Sequence, residues 1–288
     1  MANPQTLTLC HLRYDAGTGC IVDAAGRAFD EAAYSRMKHG VRSVTRRFAR
    51  TLAEALLAEA PQVVLHADPP LFLAAYKAVP PACHFIGLYC LEAINLRRVA
   101  EGKAPGRLIQ VYKDTVVAGN YALQTPAARQ GELEGIGFSL EGRSLCGRRL
   151  VLLDDARITG AAERRMLEIV RPEAPSALAL GYVLAFDEAC GKAHPEIENR
   201  MNHAAIREIG DLLPAIRAED FELNIRVLKL ALSTPLDKLE DFLRAVPVWL
   251  CSAIVRGAAA TGVEFVRQHA QAYALAHAIH LQREACEP

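Results

Sequence analysis

The sequence predicts an α/β protein with an open, mainly parallel β-sheet flanked by helices and a helical C-terminal extension. Short apolar runs that suit buried strands alternate with longer helical segments up to about residue 185, which is the usual pattern of a doubly wound sheet. Beyond that point the pattern is almost wholly helical and three prolines divide it. We therefore expect an α/β core over residues 1–185 and a mostly helical region over 186–288.

The elements of the core follow from local patterns. Apolar and polar residues alternate on both sides of an Asp-Ala-Gly-Thr-Gly turn, which predicts a hairpin. Compact apolar runs predict strands, and longer runs with helical spacing predict helices. The expected order is a hairpin over 7–29, a helix over 34–58, a strand over 62–66, helices over 71–79 and 83–100, and strands over 107–112 and 178–185.

Residues 114–142 differ from their surroundings. This stretch contains five glycines and few apolar clusters, so it predicts a long connection between two strands. Long connections without regular structure are uncommon unless they are functional, and lids over active sites are the usual case. We therefore expect a lid at about 114–142.

Residues 150–162, LVLLDDARITGAA, carry the most specific signal. The four apolar residues are typical of a strand buried on both faces. Asp154 and Asp155 follow where that strand would reach the carboxyl edge of the sheet, at which open α/β sheets bind ligands. Thr159 and Gly160 then lead into a helix whose first N–H groups favour an anion. Because acids suit hydroxyls or Mg²⁺, the stretch predicts a ligand with a diol and a phosphate, such as ribose 5-phosphate.

Composition excludes several classes of protein. The 33 basic and 33 acidic residues give no net charge, so nucleic acid is an unlikely partner. No apolar run approaches the roughly 18 residues of a membrane helix, and the N-terminus lacks a signal-peptide pattern, so we expect a cytoplasmic protein without a membrane partner. The eight cysteines form no Cys-x-x-Cys pair and are expected to be reduced thiols.

The 150–162 pattern resembles the PRPP-binding loop of type I phosphoribosyltransferases. It is most similar to phosphoribosyltransferase-like proteins of bacterial tellurium-resistance and stress operons, whose Asp-Asp-x-Arg-Ile-Thr-Gly signature residues 154–160 reproduce. Glu163 also matches that subgroup, whereas Ala162 stands where the subgroup has histidine. Weaker similarities lie in residues 34–40, 195–202 and 224–229.

The resemblance implies roles for the loop residues. Asp154 and Asp155 would be the catalytic acids that hold the ribose hydroxyls, with Mg²⁺ bound through the ligand or also by these acids. The alternative is a pair of capping acids after an ordinary strand, and Arg157 could pair locally instead of serving the phosphate. The 5′-phosphate would lie against Ala156, Arg157, Ile158, Thr159, Gly160 and Ala161.

The resemblance also implies a pyrophosphate loop after the first core strand, which we place at His66, Ala67 and Asp68. Pro69 and Pro70 remove two N–H donors there and Asp68 adds a negative charge, so pyrophosphate binding is expected to be weak. Further candidates for pyrophosphate or lid contacts are Lys113, Tyr121 and Arg129. The alternative for these three residues is a surface lysine followed by an ordinary loop.

The implied function is transfer of ribose 5-phosphate from PRPP to an unidentified nitrogen acceptor, with release of pyrophosphate and with Mg²⁺ as cofactor. The alternative is a sensor or accessory protein of a stress-response operon that binds PRPP or a nucleotide without catalysis. The expected partners are PRPP or another ligand containing ribose 5-phosphate and the acceptor, and a homodimer is left open.

Overall fold

A computed structural model describes residues 4–76, 78–113, 138–140, 144–194 and 196–286. Its strands form one sheet of seven: β1 Gln5–Asp15, β2 Cys20–Asp23, β3 Leu71–Tyr76, β4 Arg107–Lys113, β5 Phe138–Leu140, β6 Arg149–Arg157 and β7 Ala177–Phe186. The strand order is β2-β1-β7-β6-β3-β4-β5. The five inner strands are parallel, and the edge strands β2 and β5 are antiparallel to their neighbours. The predicted fold class is confirmed.

Helices flank the sheet and form the C-terminal part of the chain. Those of the α/β part are α1 Glu31–Lys38, α2 Arg42–Glu59, α3 Pro61–Val64, α4 Ala82–Ala100, α5 Ala161–Val170, α6 Glu188–Ala193 and α7 Ile197–Asn202. Two 3₁₀ turns span Arg171–Glu173 and Ile209–Leu212. The later helices are α8 Leu213–Arg217, α9 Ile225–Leu232, α10 Leu236–Ala245, α11 Val248–Thr261, α12 Val263–Gln268 and α13 Ala270–Glu284. None of the helices in the described ranges is both long and apolar enough to span a bilayer.

Strand β6 is buried on both faces, as its apolar run predicts. Val151 and Leu153 belong to the core that includes residues of α2 and α4. Leu150 and Leu152 point the other way, into a core completed by Leu167 of α5 and its neighbours. The next two residues of the strand are the acids Asp154 and Asp155.

A crevice opens between β3 and β6. The two strands pair from Leu71 and Leu150 to Leu73 and Leu152 and no further. Beyond that point β3 continues beside β4 only, and β6 continues beside β7. The chain runs from β3 to β4 on one side and from β6 to β7 on the other. The crevice is therefore the topological switch point, at which open α/β sheets bind ligands.

Two predicted elements are wrong. Residues 62–66 were expected to be a strand, but Pro61–Val64 is a short helix. Residues 71–79 were expected to be a helix, but Leu71–Tyr76 is the inner strand β3. A short apolar run has no periodicity that separates a doubly buried strand from a helix, so the pattern could not decide either case.

Most other expected elements are present. The hairpin, the helix beginning near 83 and the strands near 107, 150 and 178 all occur. The helix expected over 34–58 is divided in two at Gly40, whose φ of +80° no helix can contain. Three prolines begin C-terminal helices, as expected: Pro214 lies in the first turn of α8, and Pro235 and Pro247 are the N-caps of α10 and α11.

The C-terminal helices have a hydrophobic core of their own. It runs from Ile206 to Ile279 and contains one residue of the α/β part, Val79, which follows β3. Ile197 and Met201 of α7 belong instead to the core beneath the sheet. The hydrophobic cores thus separate between Met201 and Ile206, while the division at 185/186 stays a prediction.

Candidate active site

Asp154 and Asp155 lie in β6 beside the crevice, past the last residue that pairs with β3. Asp155 is buried, and its Oδ2 accepts a hydrogen bond of 2.7 Å from the hydroxyl of Tyr34. The same oxygen pairs with the ammonium of Lys38, which is also buried. Asp154 is partly exposed, and its Oδ1 accepts a bond of 2.9 Å from the backbone N–H of Asp155. One acid of the pair is therefore held by two buried partners, and the other is partly exposed.

Helix α1 delivers both partners of Asp155. Tyr34 and Lys38 are four residues apart, so they lie on one face of the helix. Asp30 caps the helix by accepting a bond of 2.8 Å from the N–H of Ala33. At the other end of the helix, the backbone carbonyl of Lys38 accepts a hydrogen bond of 3.0 Å from the side-chain amide of Asn224. Both ends of α1 are thus fixed, which holds Tyr34 and Lys38 against the acid.

The surroundings shift the pKa values of the two acids in opposite directions. Burial raises the pKa of Asp154, and the neighbouring charge of Asp155 raises it further. Burial alone would raise the pKa of Asp155 too, but the charge of Lys38 and the hydrogen bonds from Lys38 and Tyr34 outweigh it and hold that pKa below its usual range. Asp155 therefore keeps a negative charge, and Asp154 is the acid that exchanges a proton more readily near neutral pH.

The expected phosphate loop follows β6 and ends at a helix. Gly160 is the N-cap of α5 and has φ of +67°, a left-handed conformation that favours glycine. A Cβ at that position would lie 3.3 Å from a guanidinium nitrogen of Arg157 and 3.3 Å from one of Arg164. The free N–H groups of the helix start and two cations therefore meet at this glycine, which suits an anion.

The structure also shows local pairing of Arg157. Its Nε donates to Glu163 at 2.9 Å, and the hydroxyl of Tyr182 donates to the same carboxylate oxygen at 2.8 Å. Glu163 thereby holds Arg157 beside the loop. Below the loop, Gly191 of α6 approaches so closely that a Cβ there would lie 2.3 Å from the carbonyl oxygen of Ile158. The close contact between Gly191 and Ile158 therefore restricts the path of the loop.

His66, Ala67 and Asp68 lie at the wrong edge of the sheet to form the expected pyrophosphate loop. They precede β3 instead of following a strand, because residues 62–66 are not a strand. Leu71 pairs with Leu150, so the acids lie about 13 Å farther along the strands, at roughly 3.3 Å a residue. The carbonyl of His66 accepts a bond of 2.9 Å from the buried guanidinium of Arg98, which gives this turn a structural role. Residues 78–81 are the described part of the segment that follows the carboxyl end of β3.

Of the remaining candidates, Lys113 ends β4 at the carboxyl edge of the sheet, but its side chain is outside the described residues. Tyr121 and Arg129 fall outside the described residues as well. So does the expected lid at 114–142, apart from Phe138–Leu140, which pairs antiparallel with β4. The roles of these residues stay predictions.

Sequence patterns alone did not identify two residues beside the acids. Tyr34 lies in the 34–40 segment that carried a weak resemblance, and the spacing of Tyr34 and Lys38 was the available signal. Cys83 in the first turn of α4 places its sulfur within 4.8 Å of a carboxylate oxygen of each acid. Only the tertiary structure brings Cys83 to the acids, since it lies about 70 residues from them in the sequence.

The acids also fit the Mg²⁺ that type I phosphoribosyltransferases use. Carboxylate oxygens are the hard ligands that Mg²⁺ prefers. The hydrogen bonds from Tyr34 and Lys38 both go to Oδ2 of Asp155, so neither occupies Oδ1. Asp154 is partly exposed at the crevice. A ligand-bound Mg²⁺ could therefore meet oxygens of both acids.

Comparison with solved structures gives weak likenesses to phosphoribosyltransferases. Hypoxanthine phosphoribosyltransferase from Trypanosoma cruzi, in complex with IMP, is 13% identical with a TM-score of 0.34, over 51% of this chain and 68% of that chain. A hypoxanthine-guanine phosphoribosyltransferase from Bacillus anthracis is 8% identical with a TM-score of 0.32, over 49% and 67%. The L. donovani hypoxanthine-guanine enzyme is 11% identical with a TM-score of 0.33, over 51% and 73%. Likenesses this low carry no statement about substrate.

The family comparison covers far more of the chain. A search of the curated proteins found no match. The family model described as PRTase ComF-like matches residues 19–254, which include β2, the acid pair, the loop before α5 and the C-terminal helices as far as the first half of α11. This chain therefore belongs to the PRTase ComF-like family of phosphoribosyltransferase-related proteins.

Proposed function

We propose that this protein binds PRPP and transfers its ribose 5-phosphate group to a nitrogen acceptor, with release of pyrophosphate. One observation carries the proposal. An acid pair at the switch-point crevice is followed, five residues later, by a left-handed glycine at the start of a helix. The first feature suits the ribose hydroxyls and the second suits the 5′-phosphate.

The two acids would act differently on the ribose. Asp155, held charged by Lys38 and Tyr34, would stabilise the positive charge that develops on the ring as the pyrophosphate leaves. Asp154 is partly exposed and would bind a ribose hydroxyl directly. Mg²⁺, when bound with PRPP, would neutralise charge on the leaving pyrophosphate.

The 5′-phosphate would be held by residues 156–161. The N–H groups at the start of α5 would donate to it, and Arg157 and Arg164 would supply positive charge beside Gly160. Arg157 would keep its bond to Glu163 while it does so, because a guanidinium group has five N–H donors. This part of the site binds and orients the sugar, which is the main contribution to catalysis expected of the side chains.

A second candidate function, binding without transfer, is favoured by the loop at the carboxyl end of β3. Pro80 and Pro81 have no N–H groups to offer a pyrophosphate. Val79 is buried in the core of the C-terminal helices, and the carbonyl of Pro80 accepts a bond of 3.0 Å from Ile225. A loop held in this way offers few backbone N–H groups that could donate to a pyrophosphate. The protein would then be a PRPP or nucleotide sensor, or an accessory protein.

The biological setting belongs to the same proposal. The signature at 154–160 favours a role in a tellurium-resistance or stress operon, which the neighbouring genes would test. The nitrogen acceptor remains unidentified. A cytoplasmic location and a homodimer stay predictions, the latter open to analytical ultracentrifugation.

Calorimetry with PRPP and Mg²⁺, followed by a pyrophosphate-release assay over a panel of nitrogenous bases, tests the proposal. Asp154→Asn removes a charge-assisted bond worth roughly 1.5–3 kcal/mol, so PRPP affinity should fall by about 10- to 100-fold. Asp237→Asn is the control, because Asp237 is an exposed acid in the first turn of α10. Asp155→Asn is less informative, since it also breaks the pair with Lys38.

The outcomes separate the two candidates. PRPP binding with pyrophosphate release for at least one base supports transfer. Binding without release for any base supports the sensor. No PRPP binding by the folded wild-type protein contradicts both.

A further inference from the structure

Cys83 adds a third potential metal ligand to the two acids. Its sulfur and one oxygen from each of Asp154 and Asp155 all lie within 4.8 Å of one another. Cys83 reaches this point because α4 begins directly after the loop that follows β3, across the crevice from β6. Three potential metal ligands from two different elements therefore converge on the switch point. We propose that Cys83, Asp154 and Asp155 bind a thiophilic divalent cation of the Zn²⁺ type, which competes with the ribose for the two acids.

The donor set determines the kind of cation. Carboxylates alone suit Mg²⁺, Ca²⁺ or Mn²⁺, whereas a thiolate favours softer ions such as Zn²⁺. One sulfur and two oxygens also match the usual number of protein ligands at an open zinc site, whose fourth position is filled by water or substrate. In a tetrahedral site the ligand atoms lie about 3.5 Å apart, so the three groups need to close by only about 1 Å.

The local charges balance with such an ion. A Cys83 thiolate and two carboxylates contribute three negative charges, and the ammonium of Lys38 contributes one positive charge. A divalent cation makes the group neutral, which lowers the cost of burying three anions together.

The surrounding contacts suit a metal site. Tyr34 and Lys38 fix Asp155 through Oδ2, as hydrogen bonds to a metal-binding carboxylate commonly do, and neither occupies Oδ1. Cys83 and Asp155 are each only 6% exposed, while Asp154 is partly exposed at the crevice. A cation can therefore enter past Asp154 and meet two oriented ligands behind it.

Metal binding here needs no PRPP, so this part of the inference is independent of the proposed function. The competition rests on that function, because the ribose would use the same acids. The two parts have separate measurements, namely metal binding by the protein alone and the effect of Zn²⁺ on PRPP binding.

Titration of the metal-free full-length protein with Co²⁺ tests the metal site, because cobalt reports a bound thiolate as a charge-transfer absorption band. We expect one equivalent of Co²⁺ to give this band and Zn²⁺ to abolish it. Cys83→Ser should remove the band and weaken Zn²⁺ binding by more than about 100-fold, since it deletes a direct ligand. Asp154→Asn should weaken binding without removing the thiolate. Cys146→Ser, which changes an exposed cysteine, should leave both measurements unchanged.

A wild-type protein that shows no thiolate band, or a folded Cys83→Ser variant that keeps it, overturns the inference. If Cys83→Ser does not fold, Cys83→Ala replaces it, and Asp154→Asn is an independent arm at a partly exposed residue. Failure of the metal site would leave calorimetry with PRPP and Mg²⁺ unaffected. Zn²⁺ that binds as expected without reducing PRPP affinity would overturn only the competition.

Discussion

At the residue scale, the pair formed by Lys38 and Asp155 is the main charged contact of the candidate site. Both side chains are about nine-tenths buried, so each depends on the other for compensation of its charge. Because this pair compensates the buried negative charge of Asp155, its loss should be visible in stability.

Lys38→Met leaves the charge of Asp155 buried without the ammonium group that compensates it, although the Tyr34 hydroxyl still donates to Oδ2. Breaking a buried pair in this way costs about 3–5 kcal/mol of unfolding free energy, which urea unfolding at pH 7 measures. Lys238→Met is the matched control, because Lys238 pairs with Glu208 on the surface and its loss should cost far less stability than that of Lys38. The double variant Lys38→Met/Asp155→Asn should recover at least half of the loss. A Lys38→Met variant as stable as the control would contradict this account of the pair.

Gly160 gives a second prediction for a single residue. Gly160→Val forces a β-branched side chain into a left-handed conformation and places it against Arg157 and Arg164, where the phosphate is expected. We expect binding of both PRPP and ribose 5-phosphate to be lost, as measured by calorimetry.

The control for Gly160 is Gly102→Val. Gly102 has φ of +70°, and a Cβ added there would have no neighbouring atom within 4 Å, so it shares the backbone strain but lies away from the acids. It should cost a similar amount of stability and leave PRPP binding unchanged. Retention of ribose 5-phosphate binding by a folded Gly160→Val variant would remove the main support for the phosphate loop.

How much of the site was predictable depends on sequence distance. Asp154, Asp155 and Gly160 belong to one continuous segment, so a local pattern could identify them. Tyr34 and Lys38 lie 121 and 117 residues from Asp155, and no local pattern encodes their contact with it. The sequence could therefore predict the loop but not the groups that set the charges of its acids.

At the element scale, the errors cluster where strand and helix preferences are ambiguous. Leu71–Tyr76, LFLAAY, contains leucine and alanine, which favour helices, yet it is the strand beside β6. Its position between two parallel strands decides its conformation, and that depends on the rest of the chain. The misplaced pyrophosphate loop followed from the other error of this kind. The loop was placed after a strand expected over 62–66, and the structure has a short helix at Pro61–Val64 instead.

The turn between α1 and α2 provides the prediction at this scale. Gly40 has φ of +80°, and a Cβ there would lie 2.0 Å from the carbonyl oxygen of Glu222. Because backbone cannot move aside as a side chain can, Gly40→Ala should cost more than about 3 kcal/mol, well above the roughly 1 kcal/mol of a left-handed alanine alone. Gly26→Ala is the matched control, with φ of +78° and no neighbouring atom within 4 Å.

Thermal and urea unfolding measure both variants of this comparison. Equal stabilities for Gly40→Ala and Gly26→Ala would mean that the turn does not hold residues 219–224 against the α/β part. If Gly40→Ala is much less stable than Gly26→Ala, as expected, the start of the C-terminal region helps to position α1. It then also helps to position Tyr34 and Lys38, which α1 carries.

At the scale of the whole molecule, the C-terminal helices are joined to the sheet through α1 and its surroundings. The hydroxyl of Ser35 donates to the carbonyl of Asn202 at 2.7 Å and accepts from the N–H of Ile206 at 3.1 Å. Asn224 both caps α9 and donates to the carbonyl of Lys38. Composition and periodicity predicted a helical C-terminal region, but these contacts span more than 160 residues and could not be predicted from them.

The same junction makes stability depend on pH. His39 is buried, and its Nδ1–H donates to the carbonyl of Ser35 at 2.8 Å. Burial, followed by the charge of Arg226, lowers the pKa of His39 to about 3. In the unfolded chain a histidine titrates near pH 6.5. Between these values the unfolded state binds a proton that the folded state refuses, so acidification favours unfolding.

His39 should therefore contribute stability that is fully present above about pH 6.5 and is lost progressively as the pH falls towards 3. Unfolding free energies of the wild type and of His39→Gln, measured by urea from pH 7.5 to 4, give this contribution as a difference. The difference should decrease on acidification by up to about 1.4 kcal/mol per pH unit. His11→Gln, which removes an exposed histidine, is the control. A difference between His39→Gln and the wild type that stays constant with pH would mean that His39 takes up its proton at the same pH in the folded and unfolded states, which would contradict its role as a buried, neutral ring at the junction of α1 and the C-terminal region.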